Sequence, residues 1–276
     1  MIKQEKKHKG SRVWIVLLVL LIIVIGIFVG GLSYLGLISL PEDSAKLINV
    51  QGDVQVANSP FQPAKEGMSL RKGSIVKTGQ NGSVDMVLFG GSVVRIDKDT
   101  QFQISEIVAD KDKRTVKLDQ TKGRTWTKLL PISGIKDYRI DTPDGSAKAT
   151  EGSFFVSVGN TSKVGVGEGT VTVKTNDRET NLTGNEQIDI GSTEKNTMQR
   201  DSWVSNSIQQ DNGFIDDTAA KLKAKYANLI NIAKSQYGIT DTQIDSYLYA
   251  YLRGDYSPER IEEMKKSYGI NIDLTL

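Results

Sequence analysis

The chain has 276 residues, of which 38% are hydrophobic and 25% are charged, a composition typical of a globular protein with one large domain or two small ones. It has no Cys and a single His, His8, which excludes disulfide scaffolds, Cys-ligated metal sites, thiol catalysis and Ser-His-Asp triads. The formal net charge is +2, but residues 1–12 carry five basic residues and one acidic residue, so the other 30 basic and 32 acidic residues sum to −2, which argues against nucleic-acid binding.

The first 40 residues combine a basic tail, residues 1–12, with a segment that has no charged residue, residues 13–40. The almost wholly apolar run Val13–Leu32 would span about 30 Å as a helix, the hydrocarbon thickness of a bilayer. A cleaved signal peptide is the alternative, but its apolar region is usually about 7–15 residues long. We therefore predict an uncleaved single-pass helix over residues 13–35.

This prediction also fixes an expected topology. The positive-inside rule keeps the basic tail in the cytoplasm and sends the rest of the chain to the extracytoplasmic face of the cytoplasmic membrane. Gly26 and Gly30 have the small-residue spacing of close helix pairs, which suggests a helix dimer face and a homodimer, although Gly is common in membrane helices in any case. Residues 36–44 are expected to form a juxtamembrane linker.

Residues 45–190 alternate apolar and polar positions, and turn residues interrupt the alternation every 8–12 residues. The alternating segments are residues 46–56, 84–89, 93–97, 102–108, 115–118, 138–141, 154–158, 163–166, 171–174 and 186–190. Many short segments of this kind, with no helical pattern between them, predict an all-β sandwich, barrel or solenoid.

The period changes near the C-terminus. Residues 191–213 are polar and are predicted to be a linker. Residues 214–276 are predicted to form a small all-α region of three helices, which end at Gly238, Gly254 and Gly269. Thr240 and Gln243 have the spacing of a capping box at the start of the second helix.

Few residues are candidates for a site. Tyr249 and Tyr256 lie off the apolar side of the predicted helices, so they are candidates for a partner-binding surface that contacts a protein or a cell-wall glycan; the alternative is that their exposure is incidental. The pairs Asp97/Asp99 and Asp110/Asp112 could hold Ca²⁺, but neighbouring Lys residues favour solvated hairpin turns. We predict no catalytic, cofactor-binding or metal-ligating residues.

Five blocks in the β region resemble the FecR domain, an exported all-β module of bacterial single-pass membrane proteins. They are Gly52–Val56, Gly67–Gly73 with Ile75–Gly79, Gly82–Val84 with Gly91–Ile96, Thr142–Pro143 with Gly152–Val158, and Val166–Val173 with Leu182–Gly184. The resemblance implies a two-layered β fold that is solenoid-like or sandwich-like. It also implies placement outside the cytoplasmic membrane.

The sequence departs from the well-known FecR-type signal transducers. Its N-terminal tail of residues 1–12 is too short to fold as a domain that binds a sigma factor. Glu151-Gly-Ser153 replaces the family's Arg-Gly-Thr. Three helices are predicted at the C-terminus, where the family would have an α/β module. We therefore expect a non-enzymatic, membrane-anchored binding or scaffold module of the bacterial cell envelope. The alternatives are a component of a transmembrane signalling system that acts through a partner and, more remotely, an extracytoplasmic hydrolase.

Overall fold

A computed structural model describes residues 45–57, 60–110, 113–175, 177–238 and 240–254. Seventeen strands precede three α-helices in this part of the chain, so the fold is mainly β with a C-terminal helical region, as predicted. None of the helices formed by these residues combines the length and the apolar character that a membrane-spanning helix needs. The helix predicted over residues 13–35, with Gly26 and Gly30, lies outside the described residues.

The strands follow one another with short connections. They are β1 (Ala45–Gln51), β2 (Val54–Ala57), β3 (Phe61–Pro63), β4 (Ser69–Leu70), β5 (Ile75–Thr78), β6 (Ser83–Leu88), β7 (Ser92–Ile96), β8 (Gln101–Ala109), β9 (Arg114–Leu129), β10 (Ile135–Thr142), β11 (Gly145–Ala149), β12 (Gly152–Val158), β13 (Ser162–Glu168), β14 (Thr170–Lys174), β15 (Glu179–Thr183), β16 (Glu186–Asp189) and β17 (Asn196–Thr197). The helices are α1 (Ser202–Lys225), α2 (Ala227–Tyr237) and α3 (Asp241–Leu252).

The strands form two sheets that share β9. Sheet A has the order β4-β1-β6-β7-β9-β12-β13-β16-β17, and its pairs are antiparallel. Sheet B has the order β3-β2-β5-β8-β9-β10-β11-β14-β15, in which β9 and β10 are parallel and the other pairs are antiparallel. The first part of β9 pairs with β8 and β10, and the part after Gly123 pairs with β7 and β12.

Gly123 is the residue at which β9 passes from one sheet to the other. Its φ of +80° is a left-handed conformation, and a Cβ there would lie 2.4 Å from the Cα of Thr100. Only glycine meets both requirements. The sequence analysis predicted a strand only near residues 115–118, so the sixteen-residue β9 is much longer than expected. β11 and β15 were not predicted either.

The apolar residues of the two sheets face each other and form one continuous core. Phe154 and Tyr138 form an edge-to-face aromatic pair in this core, with ring centroids 6.0 Å apart and planes at 74°. The Tyr138 hydroxyl group is within 3.0 Å of the Thr127 hydroxyl, so the buried polar atom is satisfied. The period-two pattern of the sequence therefore marks the face of each strand that points into this core.

The helical residues depart from the predicted boundaries. α1 begins at Ser202, inside the stretch 191–213 that the sequence analysis assigned to a polar linker. The buried side of this helix is Val204, Ser207, Ile208, Asp211 and Ile215. The start of this helix was missed because two of its buried positions, Ser207 and Asp211, are polar, so hydrophobicity alone gives little helical period there.

The described residues divide into two compact units. One contains residues 45–221 and 249–254, and the other contains residues 222–248. In the second unit, Gly238 ends α2 in the left-handed conformation, with φ of +66°. The predicted capping box is present. The backbone N–H of Gln243 donates to the Thr240 hydroxyl at 3.3 Å, and the backbone N–H of Thr240 donates to Gln243 Oε1 at 3.0 Å. The third predicted helix lies outside the described residues.

Candidate functional site

The outer face of sheet A carries a row of side chains that crosses five neighbouring strands. Strand pairing aligns Arg95 with Trp126, Trp126 with Phe155, and Phe155 with Gly165, and then Gly165 with Gln187. Residues 202–221 of α1 pack over this row. Trp126 and Phe155 form a buried cluster with Met198 and Val204, against which Trp203 and Ile208 pack. We call this contact the α1 seam.

A local alternation in β9 produces the polar part of the α1 seam. In the segment Arg124-Thr125-Trp126-Thr127-Lys128, residues 124, 126 and 128 point to the outer face, while both threonines point the other way. Gly165 also belongs to the seam, because a Cβ there would lie 2.2 Å from the Phe155 ring. The missing side chain lets that ring lie flat across the neighbouring strand.

A buried ion pair joins the sheet to α1. Arg95 Nη1 donates to Asp211 Oδ1 at 2.5 Å, and the side chains are 7% and 8% exposed. Trp126 Nε1 donates to the other carboxylate oxygen at 3.0 Å. Burial raises the pKa of Asp211, although Arg95, Lys128 and Trp126 each act to lower it. Both carboxylate oxygens of Asp211 therefore accept hydrogen bonds that position the helix.

Two more exposed ion pairs, both made by Arg124, hold the start of α1. Arg124 Nη2 lies 2.6 Å from Asp97, its Nη1 lies 2.5 Å from Asp201, and its guanidinium carbon lies 4.1 Å from the centre of the Trp203 ring. Asp201 Oδ1 accepts the Val204 amide at 2.8 Å, so Asp201 is the N-cap of α1. Burial acts to raise the pKa of Asp201, but the Val204 amide and Arg124 outweigh it and lower that pKa.

Beside the ion pair lies a cleft of about 280 Å³ between sheet A and α1. It is lined by Lys128, Ser153, Gly167, Glu168, Arg200, Ile208, Asp211, Asn212, Ile215 and Arg253. Lys128 is only 2% exposed and forms an ion pair with Glu168, which is 51% exposed. The cleft thus has a dry, charged floor and a solvent-facing rim.

Arg253 reaches the rim from the end of α3. Leu252 beside it is completely buried. Gly254 has a left-handed backbone conformation and lies next to the side chains of Glu151 and Pro131. The Arg253 guanidinium carbon stands 5.8 Å from the centre of the Tyr249 ring. These contacts fix the chain on either side of Arg253 against the β structure.

The FecR family profile, described as "FecR protein", matches residues 74–172, from the residue before β5 to the middle of β14. The chain carries a FecR domain. The match includes β7, β9 and β12, the strands that carry Arg95, Trp126 and Phe155. The resemblance read from the sequence is therefore confirmed, whereas α1 and α3 lie outside the matched residues.

The FecR-domain chain is also similar to two crystal structures of a "putative anti-sigma factor" from Parabacteroides distasonis. One is 21% identical, covering 46% of this chain and 60% of that chain with a TM-score of 0.37. The other is 20% identical, covering 49% and 64% with a TM-score of 0.39. This chain thus spans less than two thirds of either structure. A comparison with curated proteins found no match.

The residues that the sequence predicted for a site are only partly within the described FecR-domain structure. Tyr249 is half-buried on α3, beside Arg253, while Tyr256, Gly26 and Gly30 lie outside the described residues. Asp97 pairs with Arg124, which fits a structural role for that carboxylate. Among the described residues, no group of three or more His, Asp or Glu side chains could hold a metal ion.

Sequence reasoning missed the cleft and the α1 seam. One signal was available, because the alternation Arg124, Trp126, Lys128 puts an aromatic ring between two cations on a single face of a strand. The partner carboxylates Asp201 and Asp211 stand more than seventy positions later, in a stretch without an apolar pattern. Their pairing depends on where α1 packs.

Proposed function

We propose that this FecR-domain chain is a non-enzymatic binding module of a bacterial cell envelope, held at the extracytoplasmic face of the cytoplasmic membrane by residues 13–35. One observation carries the proposal: a FecR domain follows an uncharged apolar run that is long enough to span a bilayer and is preceded by a basic tail. β1 begins at Ala45, so the nine residues 36–44 would connect the membrane helix to the binding domain.

The cleft supports binding rather than catalysis. General acid–base chemistry needs a carboxylate that can exchange its proton with a substrate. Asp211 instead uses both oxygens on Arg95 and Trp126, and Glu168 accepts from Lys128. An extracytoplasmic hydrolase would have to break one of these pairs before it could act, so the carboxylates fit a structural role better.

The topology can be tested with single-cysteine variants, because the native chain has no Cys. Lys72 is exposed in the turn before β5, and Lys7 belongs to the basic tail. In spheroplasts, a membrane-impermeant maleimide should label the Lys72→Cys variant at once and the Lys7→Cys variant only after lysis. Labelling of both before lysis, or of Lys7→Cys alone, would overturn the anchored extracytoplasmic placement.

A component of a transmembrane signalling system is the second candidate, and membership of the FecR family favours it. In that case the chain would act through a partner. Crosslinking in intact membranes followed by affinity purification separates the two functions. A sigma factor or a sensor protein among the captured partners favours signalling, whereas envelope proteins or cell-wall glycan favour the binding or scaffold role.

A further inference from the structure

The cleft carries more positive charge than its own carboxylates balance. Asp211 is paired with Arg95, and Glu168 is paired with Lys128. Two cations on the lining remain, Arg200 and Arg253, and neither forms an ion pair with any other described residue. Within the part of the chain that the structure describes, the cleft and its ion pairs therefore hold four positive and two negative side chains.

The two remaining arginines keep donors available for a ligand. Arg200 Nη2 donates to Asn185 Oδ1 at 3.2 Å, which uses one of the five N–H groups of a guanidinium. The Arg253 guanidinium carbon lies 5.8 Å from the centre of the Tyr249 ring, and the Arg253 side chain donates no hydrogen bond to another described residue. Both side chains are exposed at the rim. A ligand that enters the cleft would meet two forks of N–H donors.

The floor of the cleft adds a third cation that water reaches poorly. Lys128 is held in place by Glu168, and its side chain is almost completely buried. Ser153 and Gly167 form the wall beside it, and a Cβ at Gly167 would lie 2.9 Å from both the Ser153 hydroxyl and the Trp126 ring. The wall at Gly167 is therefore closely packed against Ser153 and Trp126.

We infer that this cleft binds a phosphoryl group, held by the guanidinium groups of Arg200 and Arg253 above Lys128. A phosphate monoester carries about two negative charges at neutral pH, which equals the surplus of two positive charges, and its oxygens accept paired N–H donors from arginine. The cleft volume of about 280 Å³ exceeds that of several water molecules, taken as about 30 Å³ each, which leaves room for a phosphoryl group. The inference rests on the proposed binding role but not on the membrane anchor.

Calorimetric titration of the full chain in detergent micelles tests this assignment. The probes are inorganic phosphate, glycerol 3-phosphate as a monoester, glycerophosphoglycerol as a diester, and acetate, all at one ionic strength. The variants Arg200→Gln and Arg253→Gln should each weaken binding of the monoester about tenfold or more, because each removes charge-assisted hydrogen bonds. Arg71→Gln is the matched control, since Arg71 is exposed in the turn between β4 and β5, away from the cleft lining.

The outcomes distinguish the possible sources of the phosphoryl group, and some of them would overturn the inference. Binding of the monoester alone supports a small phosphate ester, and binding of both esters supports a phosphate polymer. No heat from any phosphoryl probe at 10 mM, acetate binding as tight as phosphate, or an equal loss in Arg71→Gln would each overturn the inference. Because maleimide labelling reports only the placement of the chain, failure here and failure of the proposed anchoring are distinguished.

Discussion

The core between the two sheets and the α1 seam are both buried, but they bury different chemistry. The core is built from aliphatic side chains and a few aromatic rings, such as Phe154 and Tyr138. The α1 seam combines the Trp126 ring with the ion pair of Arg95 and Asp211. Apolar burial tolerates small changes in geometry, whereas a buried charge is stable only with its partner in place. This difference predicts that the two-sheet core tolerates conservative apolar substitutions, whereas the packing of α1 on sheet A requires both members of the ion pair.

Loss of a core ring should have the largest effect. Phe154→Ala removes a fully buried side chain and its edge contact with Tyr138, which should cost about 3–5 kcal/mol of unfolding free energy. Urea denaturation followed by tryptophan fluorescence measures the cost. The control is Phe61→Ala, because Phe61 is 49% exposed on β3 and should cost at most about 0.5 kcal/mol. Equal costs for the two variants would contradict this description of the core.

Breaking the ion pair in the α1 seam should cost slightly less. Asp211→Ala leaves the buried Arg95 without its hydrogen-bonded carboxylate, and such losses are about 3 kcal/mol. Asp217→Ala, an exposed position on the same helix, should change the unfolding free energy by less than about 0.5 kcal/mol. The double variant Arg95→Met/Asp211→Leu should recover most of the loss, since no unpaired charge remains. A double variant as unstable as Asp211→Ala would show that the charges do more than balance each other.

Two glycine substitutions should move stability in opposite directions. Gly165→Ala pushes a Cβ into the Phe155 ring and should cost about 1–3 kcal/mol, with faster proteolysis within α1. Gly213→Ala, on α1 with no atom within 4 Å of the new Cβ, should stabilise the helix by up to about 1 kcal/mol. Thermal unfolding of the two variants measures both signs. A stabilising Gly165→Ala would show that Phe155 does not need the missing side chain.

The N-cap of α1 should give the smallest effect, and the effect should depend on pH. Asp201→Ala should cost about 1 kcal/mol at pH 7. Because the folded state lowers the pKa of Asp201 below its ordinary value of 3.8, the stabilisation by the carboxylate is present above that value and is lost as the pH falls through the folded-state pKa. Urea denaturation at pH 7 and pH 3 should show a smaller difference between native and variant chains at pH 3. An unchanged difference would contradict the role of the charge.

Elements whose pattern lies within a few consecutive residues could be predicted from the sequence, whereas elements that depend on contacts between distant residues could not. Strands such as β6, β7 and β12 were predicted because their alternation is local and their turns carry Gly. The passage of β9 from one sheet to the other was not predicted. In the sequence Gly123 resembles an ordinary turn residue, and only the structure shows its close approach to Thr100. α1 was assigned partly to a linker because its buried side includes Ser207 and Asp211, whose burial depends on the sheet beneath them.

Local patterns in the sequence establish that the protein is mainly β with a helical C-terminal region, because period-two alternation, turn glycines and capping residues act over a few positions. The FecR domain was recognised separately, from the resemblance of five short blocks to that family. The contacts among Arg95, Trp126 and Asp211 become visible in the folded chain, as does the cleft that Lys128, Arg200 and Arg253 line. These residues are far apart in the chain, and no local pattern requires their charges to pair. They meet because burying the apolar side of α1 on the outer face of sheet A sets the register in which the buried charges find partners.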